Sequence, residues 1–272
     1  MIQRKFCPAW LASGLFLIGQ IPFHATGTPV PFWLKSPVAT ECCCAVVQTN
    51  ARPVYHLRVT ATGEPVKIDP GQPGQPPSDA IVLFDGNDLL QWYDDKNGSA
   101  RWEVKDGVAT VNHTGYIHTK QPFGDCQLHI EWATPEKIEG EGQGRGNSGV
   151  ILQGRYEIQV LDSYTNTTYF NGQAGAVYSQ YAPLVNCCRP PGEWQIYEII
   201  YHAPRFADDG ALTAPGRVTV LQNGVLVQDN VTIQGVTGYT PKYTKHNLKE
   251  PLFLQDHGNP VRYRNIWIRE LN

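Results

Sequence analysis

Tyr156-Glu157-Ile158-Gln159-Val160-Leu161-Asp162 is the stretch on which the reading of the fold turns. Tyr156, Ile158 and Val160 alternate with Glu157 and Gln159, a period of two that marks a β-strand with one apolar, core-facing side. Strict alternation sends Asp162 to the apolar side, so it joins Glu157 only if a bulge intervenes and otherwise opens the turn. Immediately upstream, Gly144-Arg145-Gly146-Asn147-Ser148-Gly149 leads into Val150-Ile151-Leu152-Gln153, a second strand that reaches Tyr156 through Gly154-Arg155. The glycines from Gly140 to Gly149 are not a phosphate loop, because no Gly-Lys-Ser/Thr is present and no helical pattern follows.

Working outward, strand signals recur at short intervals, each bounded by Gly, Pro or Asn-Gly punctuation. They fall at 81–84, 101–104, 108–111, 127–132, 149–153, 156–161, 175–178, 194–202, 217–222, 225–228, 252–255 and 261–270. Asp106-Gly107 and Asn223-Gly224 are the dipeptides that two-residue hairpin turns favour. No segment from Ala80 onward sustains a 3.6-residue period, so the expected architecture is all-β, a two-sheet antiparallel jelly-roll sandwich of the concanavalin kind.

The full chain of 272 residues, 41% hydrophobic and only 17% charged, supports an ample core. A formal net charge of -3 and the lack of any Lys/Arg run exclude a nucleic-acid partner, which needs a basic face. Residues 1–27 begin Met1-Ile2-Gln3-Arg4-Lys5, continue through an apolar stretch and end in small residues, the layout of a signal peptide or retained hydrophobic anchor. Residues 28–79 are Pro-rich and read as an extended tether with one short strand near Val54 to Thr60; the compact domain is expected over 80–272. The chain is therefore expected to be exported, to the periplasm or beyond, with the leader able to associate it with a membrane or an envelope complex.

Of the seven cysteines, Cys7 lies in the leader, leaving Cys42, Cys43, Cys44, Cys126, Cys187 and Cys188 as disulfide candidates. A link between the Cys42 to Cys44 cluster and the Cys187-Cys188 pair would staple tether to domain. Neither C-x-x-C spacing nor a neighbouring His supports a zinc site in either cluster.

The polar side of 156–161 carries Glu157 beside Gln159, a carboxylate and an amide suited to sugar hydroxyls. His129 and Glu131 alternate with Leu128, Ile130 and Trp132, and Glu193, Gln195 and Tyr197 alternate with Trp194 and Ile196. Polar residues gathered on several strands suggest a wet concave groove, although ordinary solvent-facing alternation gives the same pattern. Trp132, Trp194 and Trp267 are expected mostly in the core. His257, in Gln255-Asp256-His257-Gly258-Asn259-Pro260, is unneeded for packing and offers an imidazole able to give or take a proton, which makes it a better catalytic candidate than His129. Arg262 and Arg264 precede Asn265.

The chain resembles the 3-keto-disaccharide hydrolase domain family, a concanavalin-like jelly roll of bacterial exported proteins. The resemblance is carried by Leu83-Phe84-Asp85-Gly86 with Trp92, Gly146-Asn147-Ser148-Gly149-Val150, the 156–162 strand and Gly175-Ala176-Val177-Tyr178. Pro191-Gly192-Glu193-Trp194, Asn223-Gly224, Leu254-Gln255-Asp256-His257-Gly258-Asn259-Pro260-Val261 and Arg264-Asn265-Ile266 complete it. Cys187-Cys188 departs from the small or polar residues expected there. The resemblance implies an oligosaccharide or 3-keto-glycoside as partner, cleaved by C2 proton abstraction and β-elimination. Glu157 and His257 are the implied catalytic pair, and Arg145, Asn147 and Gln159, or a divalent metal held by Glu157 and His257, would polarise the ketone. Asp162, Tyr178, Glu193, Gln255 and Arg264 are further candidates for substrate binding. Two other readings stay open: a non-catalytic glycan-binding or accessory module, and a glycosidase with paired carboxylates, although Gln159 stands where such enzymes prefer an acid.

Overall fold

The computed structural model describes residues 64–96, 98–238 and 240–271. The leader, the Val54 to Thr60 strand and Cys42, Cys43 and Cys44 lie outside the described residues.

Fifteen strands follow one another: β1 (Ile81–Phe84), β2 (Trp92–Asp94), β3 (Glu103–Lys105), β4 (Val108–Thr110), β5 (Ile117–Thr119), β6 (Cys126–Ala133), β7 (Ser148–Leu152), β8 (Tyr156–Val160), β9 (Gln195–His202), β10 (Arg205–Phe206), β11 (Leu212–Ala214), β12 (Arg217–Gln222), β13 (Val225–Thr232), β14 (Phe253–Leu254) and β15 (Arg262–Glu270). A large sheet runs β13-β12-β9-β6-β15-β4-β3 with β1 on β15, and a five-stranded sheet runs β2-β5-β14-β7-β8. Their pairings are antiparallel. Among the described residues the helical turns are two short 3-10 segments, Gly142–Gly144 and Phe170–Gly172. This is the expected two-sheet antiparallel sandwich.

The hairpin dipeptides sit where the sequence puts them. Asp106 and Gly107 take φ of 52° and 79° between β3 and β4, and Asn223 and Gly224 take 54° and 80° between β12 and β13, the positive values that tight right-twisting turns need. The core fills with Leu128, Ile130 and Trp132 of β6, Ile199 of β9, and Val150, Tyr156, Ile158 and Val160 of the smaller sheet. Three tyrosines of the large sheet cross this core and set their hydroxyls on the strands opposite. Tyr197 donates to Gln159 O at 2.6 Å, Tyr201 to Gln153 Oε1 at 2.8 Å and Tyr263 to Ser148 Oγ at 2.7 Å. A buried phenol needs a partner for its hydroxyl. Here that partner is each time on or beside β7 and β8, so the core itself holds those strands in place.

Two strands depart from the simple alternation. On β9, Gln195 and Tyr197 are buried and Trp194 just before them is only half-buried, so Trp194 faces outward. Its ring lies under Arg264, whose guanidinium carbon is 4.0 Å from the ring centroid. On β15 a bulge between Arg264 and Trp267 puts Trp267 opposite His129. Trp267 is thus on the outer face of the large sheet, stacked on the His129 ring at 4.9 Å. Of the three tryptophans expected in the core, Trp132 alone lies between the sheets.

That outer face is roofed by the end of the Pro-rich segment. Ser78 N donates to Asp69 O and Asp69 N to Ser78 Oγ, closing a loop whose Gly74 carbonyl accepts from Asn265 Nδ2 at 2.6 Å. Arg269 grips Asp79 through two nitrogens, at 2.8 and 2.7 Å. Residues 69–79 are thus tied to β15.

Candidate functional site

β7 and β8 pair in register with Gly149 opposite Gln159 and Ile151 opposite Glu157. Directly opposed antiparallel residues share a face. Val150 and Ile158 point into the core, so Glu157 and Gln159 stand on the outer face of the smaller sheet. That face is not open: every residue of β8 is buried, Glu157 to 8% exposure and Gln159 to 1%. Surrounding loops wall it into a cavity of about 270 Å³ lined by Asn147, Glu157, Gln159, Tyr178, Gln255 and His257, together with Gln143 and Tyr169.

Each wall has its own support. Glu157 N donates to Thr237 Oγ1, and Tyr178 N donates to Glu157 O. Gln255 N donates to Gly149 O at 3.0 Å, continuing the ladder beyond β14. Asn147 is held by its backbone N to Asn259 Oδ1 and by its Nδ2 to Gln143 O, at 2.8 and 2.7 Å. Asp256 pins the loop that carries His257, since its two carboxylate oxygens accept from Gly258 N and Gly115 N. His257 itself is exposed. The Tyr169 and Tyr178 hydroxyls meet at 2.6 Å on the rim.

Burial without a cation pushes the Glu157 carboxyl up to about 7, so it exchanges its proton near neutrality. Turned so that its nitrogen faces acceptors, the Gln159 carboxamide donates to Ser148 O and Glu157 Oε1, both at 3.0 Å. Two buried acceptors in the same walls, Asn147 Oδ1 and Gln255 Oε1, have no hydrogen-bond partner among the described residues. Unsatisfied buried oxygens are costly, and here they line a cavity where a hydroxyl donor can reach them.

The remaining candidates lie elsewhere. Arg145 and Asp162 form a buried ion pair at 2.6 Å and line a neighbouring cavity, not the one holding Glu157. Glu157 is therefore the single carboxylate among the described residues lining its cavity, which does not match a site built on two carboxylates. Arg264 is on the outer face of the other sheet, bonded to Glu131 Oε2 at 2.7 Å. Glu193 is exposed in the turn before β9 and does not line the cavity. His129 is buried between Glu198, at 2.5 Å, and Glu131, at 3.7 Å, a structural role. Among the described residues Cys126, Cys187 and Cys188 form no disulfide. Cys126 stands alone in the core, and Cys187 and Cys188 both turn to Gln222, the first donating to its carbonyl and the second accepting from its amide.

Gln143 and Tyr169 were not singled out by the sequence. Gln143 sits in the Gly142–Gly144 3-10 turn and Tyr169 just before Phe170–Gly172, and tertiary folding alone brings them to β8. As to a metal, no three His, Cys, Asp or Glu side chains converge among the described residues. The groups that would hold a divalent ion are the Glu157 carboxylate, the His257 imidazole and the two unpartnered amide oxygens, which line the same cavity and are donors of the kind such an ion takes.

A two-sheet sandwich with a polar, amide-rich cavity on the outer face of one sheet defines an all-β protein of the carbohydrate-active class. Residues 79–269 match the model of the 3-keto-alpha-glucoside-1,2-lyase-like domain, and the chain belongs to that family. A candidate glycosyl hydrolase of Parabacteroides distasonis is 51% identical, with a TM-score of 0.73 over 78% of this chain and 95% of its own. A second candidate glycosyl hydrolase of the same organism is 23% identical, with a TM-score of 0.53 over 71% of this chain and 94% of its own, a likeness of fold. A search among curated proteins finds no match.

Proposed function

We propose that this chain cleaves 3-keto-glycosides by elimination, with Glu157 and His257 exchanging the protons. The observation that carries the reading is the pairing of one buried carboxyl poised near pH 7 with an imidazole in a cavity walled by amides. A carbonyl at C3 acidifies the C2–H bond and places the C1–O bond β to the carbonyl. One of Glu157 and His257 takes the C2 proton, the electron pair forms the C1–C2 double bond, and the C1–O bond breaks. The other protonates the departing oxygen, and water then adds across the new double bond. No oxocarbenium ion forms, so a second carboxylate is unnecessary.

The amides of Gln159 and Asn147 are placed to orient the keto sugar, and the unpartnered Asn147 Oδ1 and Gln255 Oε1 would accept from its hydroxyls. In the alternative arrangement a divalent ion held by Glu157 and His257 would polarise the ketone oxygen in place of the amides, taking the lone pairs with which those two groups otherwise move protons, and loss of turnover in chelator would mark it. The basic and apolar leader supports export, with the reaction carried out in the periplasm or outside the cell.

The test is an assay of the exported protein on a methyl 3-keto-glucoside, with and without chelator, for release of the keto-glycal and its hydrate. Glu157→Gln and His257→Ala should each lower turnover at least about a hundredfold while leaving the melting profile cooperative. Unchanged rates reject the assignment, and binding without turnover by the parent protein makes it a glycan-binding module.

A further inference from the structure

Glu157 heads a cross-strand row that continues away from its cavity. Its partner is Ile151, which pairs with Phe253, which pairs with His118, which pairs with Tyr93. Opposed residues share a face. Their chain neighbours Ile158, Val150, Leu254, Ile117 and Trp92 are all buried in the core, so the row lies on the outer side of the smaller sheet. Its rings touch: Phe253 stacks on His118 at 4.8 Å between centroids, and His118 meets Tyr93 at 5.8 Å. Tyr93, Phe253 and Ile151 are half-buried, so the row is accessible at these three side chains, while His118 between Phe253 and Tyr93 is buried. Polar groups are interleaved, with Lys120 Nζ 4.8 Å above the Tyr93 ring and His118 Nδ1 on Thr119 O.

The row is continuous with the cavity along the strand as well as across it. Gln255, two residues beyond Phe253 and of the same parity, lines the cavity. Four strand spacings of about 4.8 Å carry the row roughly 19 Å from Glu157 to Tyr93. That length exceeds a single ring, and flat apolar surfaces beside hydrogen-bonding groups suit sugars, which offer a C–H face and a rim of hydroxyls.

We propose that this row binds the sugar rings of an oligosaccharide leaving group whose terminal keto sugar occupies the Glu157 cavity. The inference rests on the catalytic reading for the identity of the terminal sugar, and on the row for everything beyond it. The two separate experimentally because Tyr93 lies four strands from the reacting bond.

The experiment is calorimetric binding and turnover of a methyl 3-keto-glucoside, an aryl 3-keto-glucoside and a glycoside of five sugars, long enough to reach Tyr93 from the cavity, by the parent, Tyr93→Ala and Tyr93→Phe. The parent should bind the five-sugar ligand about tenfold more tightly than the methyl glycoside. Tyr93→Ala should lose most of that gain and Tyr93→Phe should keep it, with methyl glycoside turnover the same in all three. Equal affinity for short and long ligands, with the methyl glycoside still cleaved, overturns this proposal alone. An aryl glycoside that gains as much as the glycan overturns the assignment to sugars. Length-dependent binding without turnover of any ligand overturns the catalytic reading and keeps this one, and no affinity for any ligand overturns both.

Discussion

Glu157 lies in the space that a side chain at Gly149 would fill: a Cβ built on Gly149 would stand 2.6 Å from Glu157 Oε1 and 3.0 Å from its Cδ. The glycine is required by this close approach, because its backbone does not take positive φ. Gly149→Ala would therefore turn the carboxyl out of the cavity while leaving the strand pairing intact, as alanine is tolerated in a strand at least as well as glycine. Turnover should fall at least about a hundredfold, and the melting temperature should move by no more than about 4 °C. Parallel rate and melting measurements check this, and full activity in the alanine variant would place the working carboxyl elsewhere.

The raised carboxyl of Glu157 has a consequence for stability. Its folded value of about 7 stands above its ordinary value of 4.5, because burial penalises the charge. Between those two pH values the folded state binds more protons than the unfolded state, so stability falls as pH rises through this window and stays lower above it. Glu157→Gln removes that cost. The variant should match the parent near pH 4 and exceed it near pH 8 by up to about 3 kcal/mol, while losing turnover. Urea denaturation at the two pH values reads the difference, and parallel curves for the two proteins at all pH values would show that the carboxylate is ionised without penalty.

The larger features of the fold were legible because they follow from local rules. Ile81–Phe84 and Arg217–Gln222 are strands at the expected bounds, and the two hairpin dipeptides take the expected dihedrals. Trp92–Asp94 and Ile117–Thr119, three residues each, are too short for alternation to register, yet they complete the site-bearing sheet. Gly175 to Tyr178 reads as a strand but contributes isolated bridges at Val177 to Ile158 and Tyr181. Alternation reports two faces without saying which is covered. Hence His129 and Glu131 read as an ordinary polar side, although a Pro-rich loop distant in sequence buries them.

The same limit applies to the site. Glu157, Gln159, Asn147, Gln255 and His257 lie in motifs the sequence displays, and the fold gathers them at one cavity. Asp162 and Arg145 lie in the same motifs, but each is the partner the other needs once both are buried. The sequence shows that two charges are near in the chain, whereas their mutual neutralisation is a tertiary fact.

Arg145 and Asp162 give a third prediction. Their side chains are 10% and 3% exposed and meet at 2.6 Å, so removing one leaves a buried, unpaired charge. Asp162→Leu or Arg145→Met alone should cost about 3–5 kcal/mol, whereas the double variant should cost distinctly less than either single change. A double-mutant cycle by denaturant titration measures this, and additive costs would mean that the two side chains act independently. Because the Arg145 carbonyl accepts from Asp162 N in every variant, the loop bearing Gln143 and Asn147 keeps its backbone tie.

A fourth prediction concerns the charged cluster under the Pro-rich loop. Burial alone would lower the His129 imidazole, but the hydrogen bond to Glu198 and the nearby Glu131 carboxylate outweigh it and lift the group to about 9. A group raised above its unfolded value of 6.5 contributes stability that is full below 6.5 and is lost as pH rises through about 9. Glu131 behaves oppositely: burial raises it, yet the His129, Asn265 and Arg264 contacts together hold it down at about 2, so its contribution is present above 4.5 and is lost as pH falls toward 2. The parent should therefore lose stability between pH 6.5 and 9 from this cluster, and His129→Gln should flatten that slope by denaturant titration across the same range. Asn265 bonds both Glu131 Oε1 and the Gly74 carbonyl, so the change should also be felt by the loop. Amide exchange over 69–78 should quicken in His129→Gln at pH 6 and approach the parent rate at pH 10; equal exchange at both pH values would show that the loop is held independently of the histidine's charge.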